Sequence, residues 1–172
     1  QEALNAIHFG TFVPYLIHGV TGSGKTEVYC QAIQKALELG HSAIVLVPEI
    51  ALTHQSAERF HSRFPGLVAL QHHRLSHGER LEQYRRIATG ERRIILGPRS
   101  ALFAPAQNLG LIIVDEEHDT SYKSSEMPTL NARDAAIMRA KITNSPVLLG
   151  SATPSLESYQ NALTKKYKLL TL

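Results

Sequence analysis

Residues His18-Gly19-Val20-Thr21-Gly22-Ser23-Gly24-Lys25-Thr26 fit the pattern G-x-x-x-x-G-K-[ST], the P-loop, and each part answers one demand of a bound triphosphate. Gly19, Gly22 and Gly24 let the backbone curl, so that the N–H groups of the loop, Val20, Thr21 and Ser23 included, turn toward phosphate oxygens. Lys25 brings a point charge for the β- and γ-phosphates, and the Thr26 hydroxyl is a ligand for Mg²⁺. A P-loop needs a strand before it and a helix after it. Val13 to Ile17 reads as a short buried strand, and Val28, Ala32, Ile33, Ala36 and Leu37 recur at helical spacing until Gly40.

A second group with chemical potential is Asp115-Glu116-Glu117-His118, at the end of the apolar run Leu111 to Val114. In open parallel sheets ligands gather outside the carboxyl ends of strands. There Asp115 would hold Mg²⁺ through its hydration shell, and Glu116 would polarise an attacking water. An acid after a strand also serves as a helix cap, but four titratable residues in a row repel one another, and a bound cation offsets that repulsion. His118 has two readings, a sensor of the γ-phosphate or a residue of a polar turn. Ser151, Ala152 and Thr153 close another apolar run. Their hydroxyls suit bonds to the acids that respond to nucleotide state, or equally a cap for a helix opened by Pro154.

The elements that have to position these residues alternate along the chain. Strands are expected at 42–47, 67–70 (the weaker case), 93–97, 111–115 and 146–149, the last clear one. Pro48-Glu49 signals a helix running to about Phe64. Ser76-His77-Gly78-Glu79 reads as a capping box for a helix ending near Gly90, and Asn131 caps another reaching about Ile142. Strands that are apolar throughout indicate a mainly parallel sheet covered by helices on both faces, hence one α/β domain of the P-loop class over residues 1–172.

Composition agrees with that frame. The 172 residues are 43% hydrophobic, enough for a sizeable core. The chain starts at Gln1 and has no apolar run long enough to span a membrane, so the expectation is a piece of a larger cytosolic protein. The lone Cys30 supports neither a disulfide framework nor a zinc site, and only His72 and His73 of the nine histidines are adjacent, so no metal site is expected from them. A net charge of +3 is compatible with nucleic acid without demanding it.

Taken in order, GVTGSGKTEVY (19–29), LVPEIALT (46–53), PRSALF (98–103), GLIIVDEEHDTSYK (110–123), NARD (131–134), GSATPSLES (150–158) and the closing Lys165 to Leu170 resemble the first RecA-like motor lobe of superfamily 2 DNA helicases, within them the primosomal replication-restart helicases. The resemblance implies a RecA-like fold, ATP with Mg²⁺, and hydrolysis driving 3′-to-5′ translocation and unwinding at stalled forks. It gives Lys25, Asp115, Glu116 and His118 to hydrolysis, Gly19 to Thr26 to the nucleotide, and Ser151, Ala152 and Thr153 to coupling. Pro48, Glu49 and Thr53 match a motif resting on the DNA backbone, and Arg99-Ser100 match a second. A helix N-terminus near Glu49 would offer N–H groups to a phosphate with Thr53 as a further donor, leaving Glu49 an orienting part.

Implied partners are forked and single-stranded DNA, a second helicase lobe, primosome proteins and single-stranded-DNA-binding protein in a bacterial cytoplasm, with no membrane. The family's zinc cluster, its adenine-reading glutamine and the arginine finger of the second lobe would all lie outside these residues, so the lobe alone is expected to be nearly inactive. Three departures stand out. His72-His73-Arg74-Leu75 replaces the family's H-S-G-L, Pro98 replaces Thr, and 124–130 has no Trp or Tyr where relatives carry an aromatic-rich DNA-sensing loop. Competing readings are a small-molecule P-loop kinase, a nonhydrolytic nucleotide-gated DNA-binding lobe, and the motor of another superfamily 2 DNA translocase.

Overall fold

The computed structural model describes residues 2–124 and 129–172. Most of the aromatic-poor stretch at 124–130 therefore lies outside the described residues. In chain order the elements are α1 (Glu2–His8), β1 (Pro14–His18), α2 (Lys25–Glu38), β2 (Ser42–Leu46), α3 (His54–Arg63), β3 (Val68–Leu70), α4 (His77–Ala88), β4 (Ile94–Gly97), β5 (Leu109–Val114), β6 (Lys123–Ser124), β7 (Leu130–Asn131), α5 (Ala132–Ile142), β8 (Val147–Ser151), α6 (Leu156–Leu163) and β9 (Lys168–Thr171). Two short 3-10 turns, Arg99–Phe103 and Thr120–Tyr122, follow β4 and precede β6.

Seven strands form one sheet in the order β3-β4-β2-β5-β8-β1-β9, every neighbouring pair parallel. Strands β2, β4, β5 and β8 are buried along their whole length, as expected of strands with helices on both faces. Successive side chains on a strand point to opposite faces, and the two cores follow that alternation. Ile17, Val45 and Ile113 face α1, α2 and α3, where they join Ile7, Ile33 and Phe60. Leu16, Ile44 and Ile112 face the other layer, with Ile87, Ala136 and Ala162 from α4, α5 and α6. Each fully buried aliphatic side chain of this kind contributes about 1.5–3 kcal/mol.

Two expectations are corrected. The helix after β2 starts at His54, not at Pro48-Glu49. The N–H groups of Ala51 and Leu52 close a turn on the Pro48 carbonyl. Thr53 then adopts extended backbone, and its hydroxyl accepts the Ser56 N–H at 3.2 Å. The helix begins where a side chain can satisfy its first amides, and that outweighs the Pro signal. Beyond 146–149 a further strand exists, β9, which pairs with β1 and forms a sheet edge. Its residues are mostly exposed, so it lacks the apolar signature of the central strands.

The capping box at Ser76 and Glu79 and the Asn131 cap both form. Among the described residues no helix is long and apolar enough to cross a membrane.

Candidate nucleotide site

β5, β8 and β1 are neighbours in the sheet, so the segments leaving their carboxyl ends meet at one edge. Those segments are Asp115–His118, Ser151–Thr153 and the P-loop. Gly22 (φ 83°) and Gly24 (φ 96°) both take the left-handed backbone that glycine adopts without strain, and Gly24 leads directly into α2. Lys25 is buried, and its Nζ donates to the carbonyls of Gly19 at 2.6 Å and Val20 at 3.3 Å, folding the cation over the loop. A Cβ on Gly19 would come within 2.4 Å of Ser23 Oγ, so a larger residue there would require the Ser23 hydroxyl to turn away. Ser23 Oγ is itself buried without a hydrogen-bond partner. A buried orphan hydroxyl costs about 1–3 kcal/mol, and a phosphate oxygen in the loop would satisfy it. The P-loop thus fits an anionic ligand by its own geometry.

Asp115 is held from three sides. Its backbone N–H donates to Leu46 O at 2.9 Å, the Tyr29 hydroxyl donates to Oδ1 at 2.9 Å, and the Tyr122 hydroxyl donates to the Asp115 carbonyl at 2.7 Å. Burial pushes the Asp115 carboxyl above its usual range; the Tyr29 hydrogen bond and Lys25 oppose that rise, while Glu116 adds to it. Burial and Glu116 leave the charge of an ionised Asp115 undercompensated, and a bound cation would offset that cost. Among the described residues no three His, Cys, Asp or Glu side chains converge to hold a metal. A Mg²⁺ ion held by Thr26 and Asp115 would therefore draw its other ligands from phosphate oxygens and water, the habit of that ion.

Glu116 is one of the few non-glycine residues with positive φ, 46°. Such a conformation persists only when its surroundings enforce it. Hydrogen bonds on both sides do so here, from Asp115 N to Leu46 O and from Glu117 N to Gly150 O. His118 Nδ1 lies 2.7 Å from Ser151 Oγ and 3.7 Å from the Glu116 carboxylate, with Nε2 at 3.4 Å from Thr153 Oγ1. The Thr153 N–H donates to Ser151 Oγ at 2.9 Å, with Ala152 between them. The two readings of Ser151–Thr153 thereby separate: their hydroxyls meet His118, while Ser155 caps α6 by accepting the Ser158 N–H.

The five residues expected on DNA are less uniform. Pro48 is buried, and its carbonyl closes the turn before α3, so it supports the segment from within. Thr53 is the cap of α3, which moves the expected helix N-terminus from Glu49 to Thr53–Ser56. Glu49 is exposed and stands 4.0 Å from His73. Glu49, Thr53, His61, His72, His73 and Arg74 line a groove of about 320 Å³. Arg99 is not a free surface charge: Nη1 donates to Lys123 O at 3.1 Å and Ser121 O at 3.5 Å, while Ser100 beside it is exposed.

Sequence reasoning assigned no role to Tyr29, Tyr122 or Arg133. Tyr29 and Tyr122 are buried aromatics whose hydroxyls need partners, a signal that exists in the sequence without naming the partner.

A family model described as DEAD/DEAH box helicase matches residues 1–162. The chain is 56% identical to Replication restart protein PriA of Chlamydia muridarum over 99% of its own length and 23% of that protein. It is 55% identical to Replication restart protein PriA of Bacillus subtilis (strain 168) over 92% of its length and 20% of that protein. It thus spans about a quarter of the length of these curated relatives. Among solved structures, a hypothetical ATP-dependent RNA helicase from Sulfolobus tokodaii superposes with a TM-score of 0.66 at 20% identity, over 99% of this chain and 51% of that one. RecG bound to a three-way DNA junction gives 0.62 at 22%, over 99% and 23%. The structural likenesses establish the RecA-like α/β fold, and the sequence likenesses bear out the resemblance to replication-restart helicases. With its family model matched almost end to end, the chain belongs to the DEAD/DEAH box helicases.

Proposed function

We propose that these 172 residues are the ATP-binding lobe of a larger 3′-to-5′ DNA helicase that unwinds DNA at stalled forks and restarts replication with primosome proteins. The observation that carries this reading is the meeting of three motifs at one sheet edge, tied by Tyr29 to Asp115 and by His118 to Ser151. The names of the sequence relatives support the replication role.

Gly19 to Thr26 would hold the triphosphate, and Lys25 would exchange its carbonyl partners for phosphate oxygens. Thr26 and Asp115 would hold Mg²⁺, which when bound neutralises charge between phosphate oxygens. Glu116 would orient the attacking water, and its enforced backbone conformation sets the direction in which its side chain leaves the turn. His118 would relay the state of that site to Ser151 and Thr153. Thr53, Glu49 and the Arg99-Ser100 turn would lie along the DNA backbone, with Pro48 beneath them. Second-lobe arginines in such motors supply rate on the order of 10³–10⁵, so the lobe alone would turn over ATP slowly.

The test uses the full-length protein with ATP, Mg²⁺ and forked DNA. DNA-stimulated hydrolysis and 3′-to-5′ unwinding are expected, both lowered about 100-fold or more by Lys25→Ala. Binding of forked DNA without hydrolysis would sink the reading in favour of a nonhydrolytic lobe.

A further inference from the structure

Glu117 lies inside the DEEH segment, yet it faces away from the nucleotide edge. Its side chain is fully buried, 0% exposed, a state that an ionised carboxylate tolerates only when its lone pairs are matched by donors. Here four are in place. The Ser155 N–H donates to Oε1 at 2.7 Å. Oε2 accepts from the hydroxyls of Ser158 at 2.7 Å and Ser155 at 3.1 Å, and from Arg133 Nη1 at 3.3 Å. Arg133, 10% exposed, spreads further: Nη1 donates to Ser155 Oγ at 2.7 Å and Nε to Asp134 Oδ1 at 2.9 Å.

These donors come from two elements besides the DEEH turn itself, α5 through Arg133 and the start of α6 through Ser155 and Ser158. Well-packed apolar residues often replace a buried ion pair without loss of stability, so stability alone is weak ground for this network. What it provides is a fixed position. Glu116, next in the chain, is held at φ 46°, with its flanking amides bonded to Leu46 O and Gly150 O. The Glu117 side chain is the third anchor of that turn.

We propose that Glu117 and Arg133 form a buried positioning pair that sets the orientation of the turn carrying Glu116 and ties it to the Ser155–Ser158 cap of α6. The proposal rests on the ATP-hydrolysing reading above. Neither residue is among those that would hold the nucleotide. Both act through the backbone of the turn.

The experiment compares the full-length protein with Glu117→Gln, Arg133→Lys and Ser158→Ala. ATPase is measured with and without forked DNA, together with the affinity for a fluorescent ATP analogue and thermal unfolding. Glu117→Gln keeps the shape and loses the charge. Its kcat is expected to fall on the order of 10- to 100-fold, since misplacement by about an ångström costs that much, while KM and analogue affinity stay within about twofold. Arg133→Lys, which loses the planar fork, should lower kcat with the same split between kcat and KM.

Ser158→Ala removes one donor and spares the ion pair, so a smaller fall with the same split is expected. It decides the matter if Glu117→Gln fails to fold. A kcat within about twofold of wild type, or a fall that tracks the folded fraction or a matching rise in KM, overturns the proposal. A wild-type protein with no ATPase would instead overturn the reading on which it rests.

Discussion

The Tyr29 hydroxyl fills the space that a side chain on Gly150 would need: a Cβ there would lie 1.6 Å from Tyr29 Oη and 2.9 Å from Cζ. That hydroxyl is the donor to Asp115, so the residue before Ser151, the helix after the P-loop and the acidic turn share one point in space.

Gly150→Ala should therefore force Tyr29 off Asp115 and destabilise the fold by about 1–3 kcal/mol, the usual cost of overpacking. In a Tyr29→Phe background the hydroxyl is gone, and the same substitution should cost less. Denaturant unfolding of the four proteins in this cycle measures the coupling; additive effects would refute the shared point.

Asp115 carries a folded-state pKa raised by burial above its ordinary value of 3.8. A raised folded pKa means that the associated stability is complete below the unfolded value and is lost as pH rises through the folded one. Asp115→Asn, which retains an acceptor for Tyr29, should be more stable than wild type at neutral pH while losing Mg²⁺-dependent hydrolysis. The difference should narrow as pH falls through the raised value and close below 3.8. Urea unfolding across pH checks it, and a gap that widens on acidification would contradict the sign.

Thr53 caps α3 through the Ser56 N–H. Thr53→Ala is expected to lower stability by about 0.5–2 kcal/mol, with Thr53→Ser restoring most of it. An unchanged unfolding midpoint in Thr53→Ala would remove the cap from the account.

Arg99 ties the 3-10 turn after β4 to the backbone carbonyls of Ser121 and Lys123. Arg99→Ala should speed amide exchange across 120–124 by about 10-fold or more, since hydrogen bonds to charged groups contribute about 1.5–3 kcal/mol. Hydrogen exchange with mass spectrometry reads this without DNA, and unchanged protection would show that the tie is incidental.

Much of this molecule is written locally. The P-loop, the Ser76 capping box and the Asn131 cap each lie within a few consecutive residues, whose side chains and backbone meet whatever the rest of the chain does. The strands of the sheet centre show as apolar runs because both their faces are buried. Where two local signals competed, as at Pro48 and Thr53, the better hydrogen-bond acceptor determined where the helix begins. Edge strand β9 escaped because an edge needs little apolar surface; its partner β1 lies at the far end of the chain.

The sequence by itself determined the class of the fold and the extent of the P-loop pattern, since spacing within a loop and period along a strand are short-range properties. Only the tertiary structure decided which residues touch. Tyr29 reaches Asp115 across 86 positions and Ser158 reaches Glu117 across 41, because parallel strands bring distant carboxyl ends to one edge. Burial then selects the partners: a hydroxyl or carboxylate removed from water has to find a complementary group, and the fold dictates which groups lie within reach.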